Sequence, residues 1–272
     1  MSLTVSSVLE ATENLWPRSG AEPWDTPGLQ VGRLSAPVER VLLAVDAVRV
    51  TVDEAIAGSF DLLVTHHPLL LRGVTSVAEN TYKGALIGDL VRGNTALLAA
   101  HTNADVVAHG VSDVLAQLLE LRHVQAIERS ADPKVGIGRV GDLKKEVSLG
   151  ELATRLARIL PPTAQGVAVA GEFSRAINRV ALSGGAGDSL LEHASVTSAD
   201  VYITSDLRHH RASEALEQSS IQGGPALINV SHWASEWLWL ATAAAQLRKL
   251  LPGVIVEVSD LRTDPWDFVV TQ

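Results

Sequence analysis

Three short runs place imidazoles and carboxylates directly after apolar, strand-like segments. The first is Thr65-His66-His67-Pro68, behind the apolar residues Leu62 to Val64. The second is His101-Thr102-Asn103-Ala104-Asp105, behind TALLAA at 95–100. The third is His232-Trp233-Ala234-Ser235-Glu236, behind ALINV at 226–230. The carboxyl end of a buried strand is where open α/β sheets present ligands and catalytic groups. Adjacent strand residues point to opposite faces, so His66 and His67 serve one site only if the strand ends there and the chain turns. Pro68 supplies such an exit. The H-x3-D spacing of His101 and Asp105 fits one helical turn or a compact loop, and His232 and Glu236 share a face if they open a helix. Each run also has a plainer reading. The histidine pair can be hydrogen-bonded in a loop, Asn103 or Asp105 can cap a helix, and Glu236 can be a first-turn acid behind a Ser231 N-cap.

Taken together, the runs point to metal. His66, His67, His101, Asp105, His232 and Glu236 make six N/O ligands. A tetrahedral ion takes about four, so this set suits two ions, with water filling the remaining positions. Mixed imidazole and carboxylate ligation suits Zn2+, Mn2+, Fe2+ or Co2+ and argues against calcium alone. Cysteine is absent, which removes thiolate nucleophiles, disulfides, Cys-ligated iron–sulfur clusters and Cys-based zinc sites.

The elements that must position these residues read as α/β. Helical spacing from Val5 to Trp16 is closed by Pro17, and VLLAV at 41–45 and DLLVT at 61–65 read as strands. Helices are expected at 51–57, 81–92 and 111–122, with a strand at 95–100. A second set follows, with helices at 149–160, 188–193, 209–218 and 233–250. Its strands are expected at 166–170, 179–183, 200–204 and 226–230, with GVIVEVS closing the chain. Short apolar runs alternating with helical patterns predict mostly parallel or mixed sheets covered by helices. The polar, glycine-bearing stretch 128–148 reads as a domain junction.

Lys plus Arg is 22 and Asp plus Glu is 31, so the formal charge of −9 argues against a nucleic-acid partner. The apolar stretches at 62–71 and 237–247 fall short of the roughly 20 residues a bilayer requires. MSLTVSSVLEATENLWP has no basic n-region, so the expected location is cytoplasmic.

The chain as a whole resembles the NIF3-like dinuclear metal-centre family, whose members are often labelled type 2 GTP cyclohydrolase I homologs. The resemblance rests on WDTPGLQVG at 24–32, LLVTHHPLLLRG at 62–73, AAHTNADVVAHGVSDVLA at 99–116, SGGAG at 183–187, ADVYITSDLRHH at 199–210 and SHWASE at 231–236. It implies the same six ligands, with Asp105 bridging the two ions. It also implies two interlocked α/β domains, the first completed by the C-terminal segment: 1–126 plus 229–272 as the metal-bearing domain, and 127–228 as the second. A hollow, ring-like homohexamer is implied too. The chain departs from the family pattern at Thr26, where Asn is usual, and at Ser205, His109 and Ser231, where Gly is usual.

Two further imidazoles, His109 and His210, stand near the runs and are expected to serve as proton shuttles. Asp206 and His209 are candidates to line the same cleft. Arg208 and Arg211 are candidate phosphate ligands, and SGGAG is a weak candidate anion cradle. Trp233, Trp237 and Trp239 read as core or subunit-contact residues. The expected function is a metal-dependent hydrolase acting on a small anionic, phosphorylated or nucleotide-like substrate. The alternatives are a non-enzymatic metal-binding or interaction protein and a GTP cyclohydrolase-type ring-opening enzyme.

Overall fold

The computed structural model describes residues 3–130 and 135–271. In chain order the first half runs α1 (Val5–Leu15), β1 (Gly28–Val31), β2 (Arg40–Ala44), α2 (Arg49–Ala57), β3 (Leu62–Thr65), α3 (Tyr82–Arg92), β4 (Ala96–Ala99) and α4 (Thr102–Asp105). There follow α5 (Val111–Leu118), β5 (Arg122–Gln125), β6 (Glu128–Arg129), β7 (Gly136–Ile137), β8 (Arg139–Ser148), α6 (Leu149–Ile159) and β9 (Ala168–Ala170). The last elements are β10 (Ala176–Ala186), α7 (Ala194–Thr197), β11 (Val201–Ser205), α8 (His209–Gln222), β12 (Ala226–Val230), α9 (His232–Leu250) and β13 (Ile255–Val258). Among the described residues no helix is long and apolar enough to cross a membrane.

Two compact units emerge: Met1–Ala104 with Leu240–Thr263, and Asp105–Trp239 with Asp264–Gln272. The first holds a sheet of order β1-β4-β3-β2-β13, in which β4, β3, β2 and β13 run parallel and β1 antiparallel. The C-terminal segment thus completes this sheet through β13. Leu42, Leu63 and Leu97 from its strands are buried against Val52 and Ala55 of α2 and Leu86 and Leu90 of α3. Each such leucine contributes about 2 kcal/mol by leaving water. Register then fixes the site, because Ala44, Thr65 and Ala99 lie side by side at the carboxyl ends of three parallel strands. Asp46, the histidine pair and His101 therefore leave the sheet at one edge.

The second unit holds a sheet of order β5-β8-β10-β11-β12-β9, parallel across β10, β11 and β12 and antiparallel elsewhere. The stretch 128–148 is largely built into sheet: its last ten residues are β8, between β5 and β10, and β6 and β7 lie ahead of it. Its polar look misleads because the exposed residues gather at one end, while Val140 is in the core and Arg139, also buried, has its head group satisfied by hydrogen bonds. Residues 131–134 of that stretch lie outside the described residues. The helix expected over 111–122 stops at Leu118, where Glu120 takes a left-handed φ of 56° and releases the chain into β5. At 188–193 only a short 3-10 turn forms, Asp188–Leu190. The units divide the chain after Ala104 and Trp239, and β5 is hydrogen-bonded to β8 within the second.

Candidate metal centre

In the first unit β3 ends at Thr65, and the bend that follows stays tied to β2 and the residue after it. The His66 N–H donates to the Ala44 carbonyl at 3.1 Å, and the His67 N–H to Val45 at 2.8 Å. The Thr65 hydroxyl then donates to the His67 carbonyl at 2.8 Å, turning the chain toward Pro68. That turn meets the condition the sequence imposed. The His66 and His67 ring centroids are 5.1 Å apart, and His101 stands 5.3 and 5.6 Å from them. These three imidazoles offer ligand atoms that all lie within 4.8 Å of one another.

His101 is placed by the exit from β4. Its N–H donates to Asn103 Oδ1 at 2.9 Å, and Asn103 Nδ2 donates to the Trp16 carbonyl at 2.7 Å. Asp25 does two jobs: Oδ2 accepts the Thr102 N–H at 3.0 Å, and Oδ1 lies 3.0 Å from His101 Nδ1. Burial works against its charge, but hydrogen bonds from Thr102 and His101 win and hold its carboxyl below the usual range. Burial, reinforced by the nearby His66, pushes His101 down to about 4 against the pull of Asp25. His101 is therefore neutral at pH 7, the form that binds metal.

The second ligand group stands at the start of α9 in the other unit. His232 Nε2 is 2.9 Å from Glu236 Oε1, the i,i+4 pairing expected of one helix face. Burial opposes a charge on His232, yet the Glu236 carboxylate and the hydrogen bonds to Asp206 and Glu236 outweigh it and raise its pKa to about 11. A proton thus sits between the very nitrogen and oxygen that would grip a cation.

One pattern runs through all four histidines. Nδ1 of His66 donates to the Ala100 carbonyl at 2.9 Å. Nδ1 of His67 faces Asp46 Oδ1 at 2.7 Å, Nδ1 of His101 faces Asp25, and Nδ1 of His232 faces Asp206 Oδ2 at 2.7 Å. Each acceptor receives a hydrogen bond from Nδ1–H, which keeps the proton on Nδ1 and assigns Nε2 as the ligand nitrogen, the arrangement metal-binding histidines use. The residues present therefore fit a divalent ion, and among the described residues there are two potential metal-binding clusters built from His and Glu. Asp105 closes α4, half-buried.

Asp25 and Asp46 have no role that the sequence pattern signals, and Asp206 only a loose one. Asp46 and Asp206 follow the apolar strands β2 and β11, the same signal that marks the histidines. Asp206 also takes a left-handed φ of 56°. The remaining candidates have the following surroundings. His109 (φ 63°) is exposed, its N–H donating to Asp113 Oδ2 at 2.8 Å and its ring beside Gln117. His210 is exposed on α8 and stacked edge-on against His209 at 5.2 Å. Arg208 and Arg211 are paired with Asp188 and Glu192. Trp233 and Trp239 are buried, as a core role requires.

SGGAG proves to be packing rather than an anion cradle. The Gly184 N–H donates to Ser112 Oγ at 3.1 Å and the Gly185 N–H to Ser235 Oγ at 2.9 Å. A Cβ on Gly185 would stand 2.5 Å from Glu236 Oε1 and 3.3 Å from His232 Nε2, at a φ of +67°. Gly185→Ala is therefore expected to push the Glu236 carboxylate aside and cost about 1 kcal/mol of backbone strain. Competition against a chromophoric chelator should show zinc affinity at this group falling about tenfold or more. Unchanged affinity would refute the close fit.

A model of the family described as Duf34/NIF3 (NGG1p interacting factor 3) matches residues 3–265. A Streptomyces coelicolor protein called GTP cyclohydrolase 1 type 2 homolog is 45% identical over 96% of this chain and 93% of its own length. A Mycobacterium tuberculosis protein of the same name is 32% identical, covering 98% of this chain and 97% of its own. Among solved structures, the Staphylococcus aureus protein SA1388 superposes with a TM-score of 0.86 at 26% identity, covering 98% of this chain and 99% of its own. A Bacillus cereus protein related to NIF3 shares the fold at a TM-score of 0.88, with 22% identity over 99% and 100% of the two chains.

Proposed function

Because the chain belongs to the Duf34/NIF3 family, we propose that it holds two divalent ions and hydrolyses a phosphorylated or nucleotide-like substrate. The residues that would hold them in this reading are His66, His67, His101, Asp105, His232 and Glu236, and the ions would be Zn2+, Mn2+, Fe2+ or Co2+. The observation that carries it is the engagement of Nδ1 on all four histidines, three of them by carboxylates. Two such ions supply Lewis acidity toward water and toward an anionic oxygen of the substrate. The chain's own share is orientation: Asp25, Asp46 and Asp206 fix the rings, and burial keeps His101 neutral. A protein of charge −9 draws an anionic substrate only through local positive charge, which bound cations provide. His109 and His210 are proposed to move protons between site and solvent, since both rings are exposed.

The names of the curated relatives favour a nucleotide over a simple phosphate ester, with opening of a purine ring as the second reading. A cytoplasmic homohexamer belongs to the same proposal. The exposed run Trp266, Phe268, Val269 and Val270 supports a subunit contact.

The test is turnover of aryl phosphates and nucleoside triphosphates by metal-loaded protein, chelated protein and the Asp105→Ala variant. Metal-dependent turnover lost in Asp105→Ala supports hydrolysis; turnover retained there, or none across the panel, overturns it. Binding itself has a pH signature. With His232 at about 11, an ion entering at Nε2 must displace a proton at pH 7, whereas His101, at about 4, releases none. Affinity at the His232 group is expected to rise about tenfold per pH unit through neutrality. Calorimetry in buffers of different ionisation enthalpy should record about one proton released there, and zero would contradict the assignment.

A further inference from the structure

We propose that Thr263 and Asp264, consecutive residues of the C-terminal segment, are positioning residues for two of the metal-ligating histidines, His67 and His232. The role of those histidines rests on the two-ion reading above. The Thr263 hydroxyl donates to Asp46 Oδ2, while Asp46 Oδ1 lies 2.7 Å from His67 Nδ1. A carboxylate engaged at both oxygens is not free to rotate about its last torsion. It therefore holds the His67 ring in one orientation and in the Nδ1–H tautomer, with Nε2 as the ligand nitrogen.

The next residue acts on the other group. Asp264 is 7% exposed, and its Oδ2 accepts the Ser231 hydroxyl proton. With that proton committed, Ser231 Oγ is left to accept, and it takes the Ala234 N–H at 3.2 Å. Ser231 is thus the N-cap of α9, whose first residue is His232 and whose fifth is Glu236. Pro265 follows, and a residue before proline is held extended, which keeps Asp264 in place. Asp264 Oδ1 accepts the Trp266 N–H at 3.1 Å.

General packing does not account for this arrangement. Beyond Asp264 the side chains of Trp266, Phe268, Val269 and Val270 are 62–79% exposed, so no core drags the segment inward. Burying a carboxylate at the root of such a tail is unfavourable unless it is hydrogen-bonded, and its side-chain partner is the cap of the helix that carries two ligands. Each contact lies within its own unit, and the 263–264 peptide bond joins them.

The experiment uses the full chain with Thr263→Val and Thr263→Ser, and Asp264→Ala and Asp264→Asn. Long-range 15N spectra of the metal-free proteins report the His67 tautomer. Wild type and Thr263→Ser should show the Nδ1–H form, and Thr263→Val a mixture. Cobalt titration followed by d–d absorption should show one ion weakened about tenfold in Thr263→Val and the other about tenfold in Asp264→Ala. The Ser and Asn variants should recover most of this. A Thr263→Val protein with wild-type tautomer and cobalt affinity overturns the proposal, as does failure of Ser to rescue. Wild type binding no cobalt would sink the two-ion reading, while the tautomer result would still decide the role of Thr263.

Discussion

His101→Ala is expected to lower metal affinity at least a hundredfold. The substitution removes a neutral imidazole from the three-histidine group and leaves the Asp25 carboxylate buried beside Thr102 without its ring partner. Burial holds His101 down at about 4, so the wild-type ring offers its Nε2 lone pair at pH 7 at no protonation cost, which is what the variant forfeits. Asp25→Asn should cost less, about 10- to 100-fold, because the ligand remains while its orientation weakens. Dialysis against a zinc buffer followed by elemental analysis separates the cases. Equal metal content in wild type and His101→Ala would remove this histidine from the site.

Arg139→Met is expected to destabilise the second unit by about 3 kcal/mol, the range for breaking a buried ion pair from one side. The Arg139 side chain is 1% exposed and pairs with Asp113 at 3.1 Å. It also donates to the carbonyls of Gly136 at 2.7 Å, Gly138 at 2.8 Å and Val107 at 2.9 Å. Methionine fills the volume and satisfies none of these acceptors. The same guanidinium steadies Asp113, which accepts the His109 N–H, so a stability residue sits next to a candidate shuttle. Urea unfolding followed by circular dichroism should show a lower midpoint with an unchanged slope. A loss below about 1 kcal/mol would mean that water or neighbouring groups replace the lost bonds.

Much of the site is legible in the sequence alone. Leu62 to Val64 followed by two histidines and a proline predicts a buried strand, an exit and two converging rings. Packing delivers that result because Thr65 lies level with Ala44 and Ala99. His232 and Glu236 on one helix face follow from spacing alone. What the sequence hides has three physical sources. Asp25, Thr263 and Asp264 act through hydrogen bonds that span long stretches of chain, as with Thr263 and Asp46, and no local pattern records those partners. β8 is obscured because a strand whose far end is solvated carries the polar composition of a linker, and its one buried cation looks like a surface residue. Gly185 is a third kind of case: its glycine looks like a turn signal, yet what requires it is the Glu236 carboxylate against its α-carbon.

The proposed two-ion centre would be held by His66, His67, His101, Asp105, His232 and Glu236. Elemental analysis after equilibrium dialysis against a zinc or manganese buffer measures it directly. Two ions per chain are expected in the wild type; one ion, or none, would contradict the two-ion centre.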